Sequence, residues 1–411
     1  MKKVIVAGAG PAGMMAAIRA GELGAEVILF ERNALPGRKL LLSGKGRCNL
    51  TNACDLDNFL LRFSHGQFLR DAFKKFFNQD LMQFFEKNGL KLKVERQNRV
   101  FPESGRSSSI LDVLLKQLAQ NKVKVIFDSR VMQVFVKNHR VAGVILENGK
   151  VVSADKVVLA TGGVSYAFTG STGDGINFAA KLGHKIMPLK AGLVSVVIKE
   201  NYPRALEGLT LKNIQLKIIA GDKELVSEIG ELLFTAFGVS GPLIFTLSGK
   251  ISDLQEANKN VFLKIDLKPG LSREQLDSRL LREFQANPKK NLRNILKTLL
   301  PLRLIDLSIR ILKIDSRKGA SHITAQERVK IVELLKSFCL QIKSLQPIEE
   351  AMVTRGGVAL KDINPRTMES RLIKGLYFCG EMIDVDADTG GFNLQAAFST
   401  GYLAGESAAL N

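Results

Sequence analysis

The chain is poor in the residues that build crosslinked, metal-bound or membrane-spanning proteins. Cysteine occurs four times in 411 residues, at Cys48, Cys54, Cys339 and Cys379. No two of them stand in Cys-x-x-Cys spacing. This excludes a disulfide framework, a zinc-ribbon pattern and a vicinal dithiol redox pair, and leads us to expect free thiols in a reducing cytosol. Histidine also occurs four times, with no spacing that would hold a metal. No run of 18 apolar residues is present, so no membrane span is expected. Acidic residues are short as well: 40 Asp and Glu face 59 Lys and Arg, a formal net charge of +19. About half of that excess falls in residues 271–345, with 16 Lys and Arg against 7 Asp and Glu. Charge of this kind attracts nucleic acid, anionic lipid or acidic substrates. The segment carries no aromatic interleaving and no RNA-binding signature. We therefore read it as a solvated face or subunit surface, with nucleic acid a less favoured but open partner.

The N-terminus carries the densest signal. Val4-Ile5-Val6-Ala7 is a short apolar run, followed by Gly8-x-Gly10-x-x-Gly13 and a helical stretch from Met14 to Leu23. Val27-Ile28-Leu29-Phe30 is a second apolar run that ends at Glu31. Strand, glycine turn, helix, strand and acid in this order form a dinucleotide fingerprint. Gly8 permits the turn, Gly10 lets backbone approach a pyrophosphate, and Gly13 lets the helix pack on the strand. Pro11 and Ala12 open the helix, whose N–H groups and dipole favour phosphate. Glu31 suits ribose hydroxyls, with Arg32 beside it. A secretory signal is not expected, because Lys2 and Lys3 lead into a stretch broken by glycines and by Arg19 and Glu22.

Three further segments select FAD over NAD. Gly37 to Asn49 combines exposed backbone with cations; Arg38, Lys39 and Arg47 can neutralise phosphate, and Ser43, Gly44 and Asn49 join the candidate contacts. Val157 to Ala160 reads as a buried strand running into Thr161-Gly162-Gly163, the kind of turn that lies near the cofactor in two-dinucleotide-domain flavoproteins. Thr169 to Gly175 opens a helix, either to hold an anion or only to cap it. Near the C-terminus a strand ends at Gly380-Glu381, followed by Asp384 and by Gly391-Phe392-Asn393-Leu394-Gln395 at the head of a helix. The carboxylates suit ribitol hydroxyls, and the helix N-terminus suits the pyrimidine edge of a reduced flavin. Val131, at the head of a strand read from Val131 to Val136, completes the candidate set.

Patterning along the chain implies an α/β fold: a split Rossmann-like domain over 1–190 and 358–411. Helices are read at Leu81 to Asn88 and Ile110 to Asn121, and strands at Lys122 to Phe127 and in an antiparallel pair, Val131 to Val136 with Val141 to Leu146. Short β-rich runs over 191–267, with 337–357, suggest a barrel-like domain, and residues 268–336 a helical subdomain with a capping box at Ser272-x-x-Gln275.

Taken together, GAGPAG at Gly8–Gly13, GRKLLLSGKGRCNLTN at Gly37–Asn52, ATGG at Ala160–Gly163, TGSTGDG at Thr169–Gly175, LLFTAFGVSGP at Leu232–Pro242, VTRGGV at Val353–Val358, TMES at Thr367–Ser370 and GLYFCGEMIDVDADTGGFNLQAAFSTG at Gly375–Gly401 resemble a bacterial FAD-binding flavoprotein family of the aminoacetone-oxidase-like, BaiN and YhiN type. The resemblance spans essentially the whole chain. It implies a split FAD domain with inserted β-barrel and helical parts. Three departures stand out: Lys45 where relatives usually have Gly, Ala236 where many have His, and Ala387 where Gly is common. The loss of that His weakens any mechanism built on it. The activities known in the family, oxidation of a small amine and reduction in a bile-acid pathway, are too dissimilar to transfer a substrate.

The expected function is hydride transfer between a small organic substrate and noncovalent FAD. NAD(P)H as a transient reductant and O2 as an oxidant both stay open as redox partners. No second Gly-x-Gly-x-x-Gly exists to hold a nicotinamide. None of His65, His139, His184 and His322 lies in a cofactor motif, so no covalent flavin link through histidine is expected. The alternative is a nucleic-acid-acting flavoprotein of the tRNA-modifying type.

Overall fold

Strands that are apolar on both faces must be covered on both faces, and this sequence places such strands next to helix-forming segments. In the computed structural model, which describes residues 1–257 and 260–411, five of them form one parallel sheet. Its order is Leu376–Phe378, Lys156–Leu159, β1 (Lys3–Ala7), β2 (Glu26–Phe30) and Lys124–Ile126. Ile5 is in register with Val157 on one side and Ile28 on the other. Val4, Ile5, Val6, Val157, Val158 and Leu159 are fully buried. Helix α1 (Pro11–Glu22) joins β1 to β2 as the crossover that parallel pairing needs.

The C-terminal helix Phe392–Leu410 packs against α1 at close range because small residues face each other. A Cβ on Gly401 would lie 2.2 Å from the Ala12 carbonyl oxygen, and one on Gly405 2.2 Å from that of Ala16. The start of this helix is anchored by an aromatic cluster. The Phe392 ring meets Phe59 edge-on at 4.7 Å, and Phe59 in turn meets Phe73 and Phe77.

Val131–Lys137, Arg140–Leu146 and Val151–Ser153 form the antiparallel meander expected from their alternation. Together with Met1–Gly192, the stretch Ile348–Asn411 makes one compact unit. Within it, Val353–Val358 pairs antiparallel with Ile186–Gly192, so this strand belongs to the first unit and not to the barrel.

Leu193–Pro347 makes the second unit. Six strands close into a barrel in the order Val196–Ile198, Gly238–Ser240, Lys223–Thr235, Thr210–Ala220, Val261–Asp266 and Phe338–Leu345. The residues between strand and barrel closure do not remain β throughout. Pro242–Ala257 is a helix, because Leu243, Ile244, Leu247, Ile251 and Leu254 bury one helical face. The Ser272 capping box forms as expected. Helices Arg273–Ala286, Leu302–Leu312 and Ala325–Lys336 share one hydrophobic core with the barrel: Leu276, Leu304, Ile305 and Leu335 are buried in the same cluster as Ile218 and Leu263. Among the described residues, no helix is long and apolar enough to cross a membrane.

Candidate functional site

The glycine turn after β1 is held by contacts that leave no room for side chains at two of its three glycines. Gly8 has φ +104°, and a Cβ there would lie 2.6 Å from the Ala160 carbonyl oxygen. A Cβ on Gly13 would lie 1.9 Å from the Gly8 oxygen. Gly10 differs: a Cβ there would meet nothing within 4 Å. It is also the N-cap of α1, with no side chain capping the helix. The first-turn N–H groups therefore face open space, which is the cradle a pyrophosphate requires.

Glu31 is buried, and its carboxylate is already bonded. Ala9 N–H donates to Oε2 at 2.8 Å, while Asn33 donates to Oε1 from its backbone at 2.9 Å and its amide at 2.7 Å. The acid at the end of β2 thus ties the glycine turn to the segment that follows. The same neighbourhood collects Arg32, which donates to Thr172 Oγ1, and Arg130, which forms a bidentate pair with Asp174 at 2.9 Å. Burial pushes the Asp174 carboxyl up, but hydrogen bonds from Arg130 and Thr172 and the Arg32 charge bring it below its usual range. Arg38 donates to Asn33 Oδ1 at 3.0 Å. Val131 is buried at the head of its strand.

The distant motifs converge on this turn. Gly380, at φ +73°, would place a Cβ 2.8 Å from that of Ala12. Thr161 Oγ1 accepts from Gly175 N–H, and a Cβ on Gly163 would strike Thr354 Oγ1. Lys39, from helix α2 (Arg38–Leu42), reaches Glu381 at 2.7 and 2.8 Å and Ser165 Oγ at 2.7 Å. Glu381 Oε1 also accepts from Thr354 N–H at 2.7 Å. With its amide turned to suit its neighbours, Asn49 accepts from Gly391 N–H at 3.1 Å. Gly391 has φ +96°, since a Cβ there would lie 2.4 Å from Thr51 backbone. It caps the C-terminal helix without a capping side chain, so this is a second helix N-terminus with donors to offer.

Several sequence candidates serve the scaffold. Phe392 is in the aromatic cluster. Asn393 bonds both ways with Ala387 backbone. Gln395 is fully buried, accepting from Thr51 Oγ1 and donating to Ser399. Leu394 is half-buried against the core. At the head of this helix only backbone remains to meet a ligand. Ser43 donates to Leu40 carbonyl, Gly44 lies at φ +57° against Asn49 N, and Arg47 pairs with Glu95 over the Phe101 ring. Asp384 lies 3.6 Å from His65 Nε2, and burial raises its carboxyl pKa. Ser165, Thr354 and Asn33 escaped the sequence reading, and Asp174 was noted only as part of the Thr169–Gly175 segment. Thr354 lay inside a noted motif, but nothing local marked it as a partner of residue 163.

All four cysteines are free. Burial pushes the Cys48 thiol up to about 12 and that of Cys379 further still, so neither is a nucleophile. The described residues contain no cluster of metal-ligating side chains.

The HI0933-like protein Rossmann domain family matches residues 2–407. The chain belongs to this family. It is 31% identical over 411 residues to a 3-dehydro-bile acid delta(4,6)-reductase of Clostridium scindens, covering 100% of this chain and 99% of the relative. It is 30% identical over 400 residues to a ribosomal RNA dihydrouridine synthase of Escherichia coli, covering 97% and 96%. Its fold is similar to that of a flavocytochrome c3 fumarate reductase, with TM-score 0.50, 19% identity and coverage of 99% of this chain and 78% of that one. The chain is thus an oxidoreductase with an FAD-binding Rossmann fold.

Proposed function

We propose that this protein is an FAD-dependent reductase that saturates a carbon–carbon double bond conjugated to a carbonyl, and that its substrate is a uracil ring in folded RNA. The observation that carries the cofactor is the convergence of sequence-distant motifs on two helix N-termini whose capping residues, Gly10 and Gly391, carry no side chain. The reaction class is supported by what the two relatives' activities share. A 3-oxo-Δ4,6 ring and a uracil both present an alkene in conjugation with a carbonyl. Hydride added to the far carbon leaves negative charge on the carbonyl oxygen, and a proton then completes the near carbon. Bound FAD, once reduced by NADH or NADPH, would supply the hydride and return to its oxidised form. In this reading the Gly10 and Ala12 backbone holds the pyrophosphate at the helix that Pro11 opens, Glu31 holds the ribose, and Glu381 with Lys39 the ribitol. The Gly391 N-terminus opposes negative charge on the reduced ring.

FAD is held noncovalently in this reading: the motif thiols Cys48 and Cys379 are buried and held protonated, and no histidine lies in a cofactor motif. A nicotinamide, with no fingerprint of its own, reaches the flavin only transiently. The choice of RNA is supported by the +19 charge. A 3-oxo steroid-like enone is the second reading, favoured by the 31% relative.

The test is anaerobic reduction by NADH or NADPH followed by single-turnover incubation with a ribosomal RNA transcript or with a 3-oxo-Δ4,6 steroid. We expect flavin reoxidation with formation of dihydrouridine. Reoxidation by the steroid alone would move the substrate to the second reading. Reoxidation by neither would refute the reaction class.

A further inference from the structure

We infer that the edge of the second unit built from residues 289–293 and 310–318 is a docking surface for the phosphate backbone of folded RNA. This rests on the RNA reading above. The charge of the second unit is segregated. Residues 193–270 hold 9 Lys and Arg against 9 Asp and Glu, whereas 271–345 hold 16 against 7. Part of that excess is neutralised in place: Arg273 pairs with Glu333, Lys318 with Glu327, Arg328 with Asp277 and Lys336 with Asp266. These pairs tie helix Ala325–Lys336 to its neighbours.

Four of the remaining cations, Lys289, Lys290, Arg310 and Lys313, lie on or beside stretches that backbone pairing brings together. Leu292 N–H donates to the Lys318 carbonyl and Ala320 N–H to the Lys290 carbonyl, zipping two sequence-distant stretches side by side. Next to them lies an open groove of about 380 Å³ lined by Arg293, Asp306, Ile309, Arg310, Lys313, Ile314 and Ser316. Arg293 is tied to Asp306. Lys289, Lys290, Arg310 and Lys313 are exposed, and among the described residues no carboxylate lies within 4.0 Å of any of them. Lys313 also holds a left-handed φ of +54° as the cap of helix Leu302–Leu312, which fixes its position at the rim.

Folding gains nothing from collecting like charges around one groove, and their mutual repulsion opposes it. A polyanion reverses the sign of that interaction. No aromatic side chain in 271–345 is exposed, so the surface has no platform for stacking bases. It suits phosphate contact, which positions an RNA without reading its sequence. A membrane surface would call for exposed apolar side chains around the cations, whereas Ile309 and Ile314 in the groove are buried.

The test uses the full-length FAD-loaded protein and the variant Lys290→Glu/Arg310→Glu/Lys313→Glu. A second variant with glutamine at the same positions covers the case in which charge reversal impairs folding. Binding of a structured ribosomal RNA transcript is measured by filter retention from 50 to 200 mM salt. With four or five phosphate contacts we expect wild-type affinity to fall about 10²-fold across that range, at a slope of about −0.7 to −0.9 per contact. The variants should lose at least about tenfold in affinity and two to three in slope, with FAD content and melting temperature unchanged. Variants that bind like wild type overturn the inference, as does equal affinity for phosphatidylglycerol vesicles. Dihydrouridine formed at wild-type rate by the variants overturns the docking surface but leaves the reductase reading standing. Binding that depends on the patch, with no dihydrouridine formed, supports the surface and refutes the substrate.

Discussion

Gly10 and Gly13 lie three residues apart in one motif, yet the structure predicts opposite consequences for the same substitution. In Gly13→Ala the new methyl would sit 1.9 Å from the Gly8 carbonyl oxygen. Relief requires α1 to move off β1, and overpacking of that kind costs about 1–3 kcal/mol or more. In Gly10→Ala the methyl meets no protein atom within 4 Å, and the backbone, at φ −80°, suits alanine. Its cost to folding is limited to the poorer N-cap, about 1 kcal/mol. The methyl does occupy the space in front of the helix N-terminus, where a pyrophosphate would take its hydrogen bonds. Losing two charge-assisted bonds at about 1.5–3 kcal/mol each amounts to about 3–6 kcal/mol, or roughly 10²- to 10⁴-fold in Kd. The assay is a thermal melt of each apoprotein together with FAD titration by flavin fluorescence. We expect Gly10→Ala to melt within a few degrees of wild type and to bind FAD at least 100-fold more weakly. FAD affinity within threefold of wild type would refute the placement of the pyrophosphate. A large loss of melting temperature in Gly10→Ala would refute the claim that this glycine serves the ligand and not the fold.

Glu31→Ala should cost both stability and cofactor, because it strands the Ala9 N–H; we expect about 1–3 kcal/mol in denaturant melts of the apoprotein, with Glu31→Gln recovering part of it. An unchanged apoprotein midpoint would show that the Ala9 bond is immaterial. His184 is buried, with Nδ1–H donating to the Ala179 carbonyl and Nε2 accepting from Ser370, and burial lowers its pKa below 6.5. The neutral form is favoured in the fold, so its contribution is complete above about pH 6.5 and is lost as pH falls through the folded pKa. Melting temperature should therefore drop between pH 7.5 and 5.5, and His184→Asn should flatten that dependence; a parallel curve would reject the assignment. Gly405→Val should separate α1 from the C-terminal helix and lower stability by about 1–3 kcal/mol or more, seen as a fall in melting temperature with no change in the far-ultraviolet spectrum at 20 °C or about that; retention of the wild-type midpoint would argue against the close packing. Lys39→Met should reduce FAD occupancy more than it reduces stability, since the Lys39–Glu381 pair is partly exposed and such pairs contribute little to folding; equal FAD affinity would remove Lys39 from the site.

The parallel strands and their crossover helix were legible because β1 and β2 are continuous apolar runs with a glycine turn between them, a pattern set by neighbours in the chain. The Ser272 cap was local in the same way, since a cap and its partner lie three residues apart. The strand Lys223–Thr235 escaped because its glutamates and lysine face solvent in the barrel and mask the alternation. Helix Pro242–Ala257 escaped because it sits among strands, where an apolar run of either period fits the surroundings.

The sequence by itself determined that the Gly8–Gly13 turn joins β1 to its crossover helix in the pattern of a dinucleotide fingerprint. Three glycines at fixed spacing between strand and helix admit few other uses, and the required geometry is complete within about 30 residues. Only the tertiary structure decided which residues serve the ligand and which serve the fold. Gly10 faces space while Gly13 faces backbone. Glu31 spends part of its carboxylate on Ala9, and Gln395 lies buried under Thr51. The ion pair of Lys39 with Glu381 spans 342 positions, and the basic edge joins two stretches brought together by backbone pairing. Such choices depend on distances between residues far apart in the chain, and those distances exist only once the sheet, the barrel and their cores have formed.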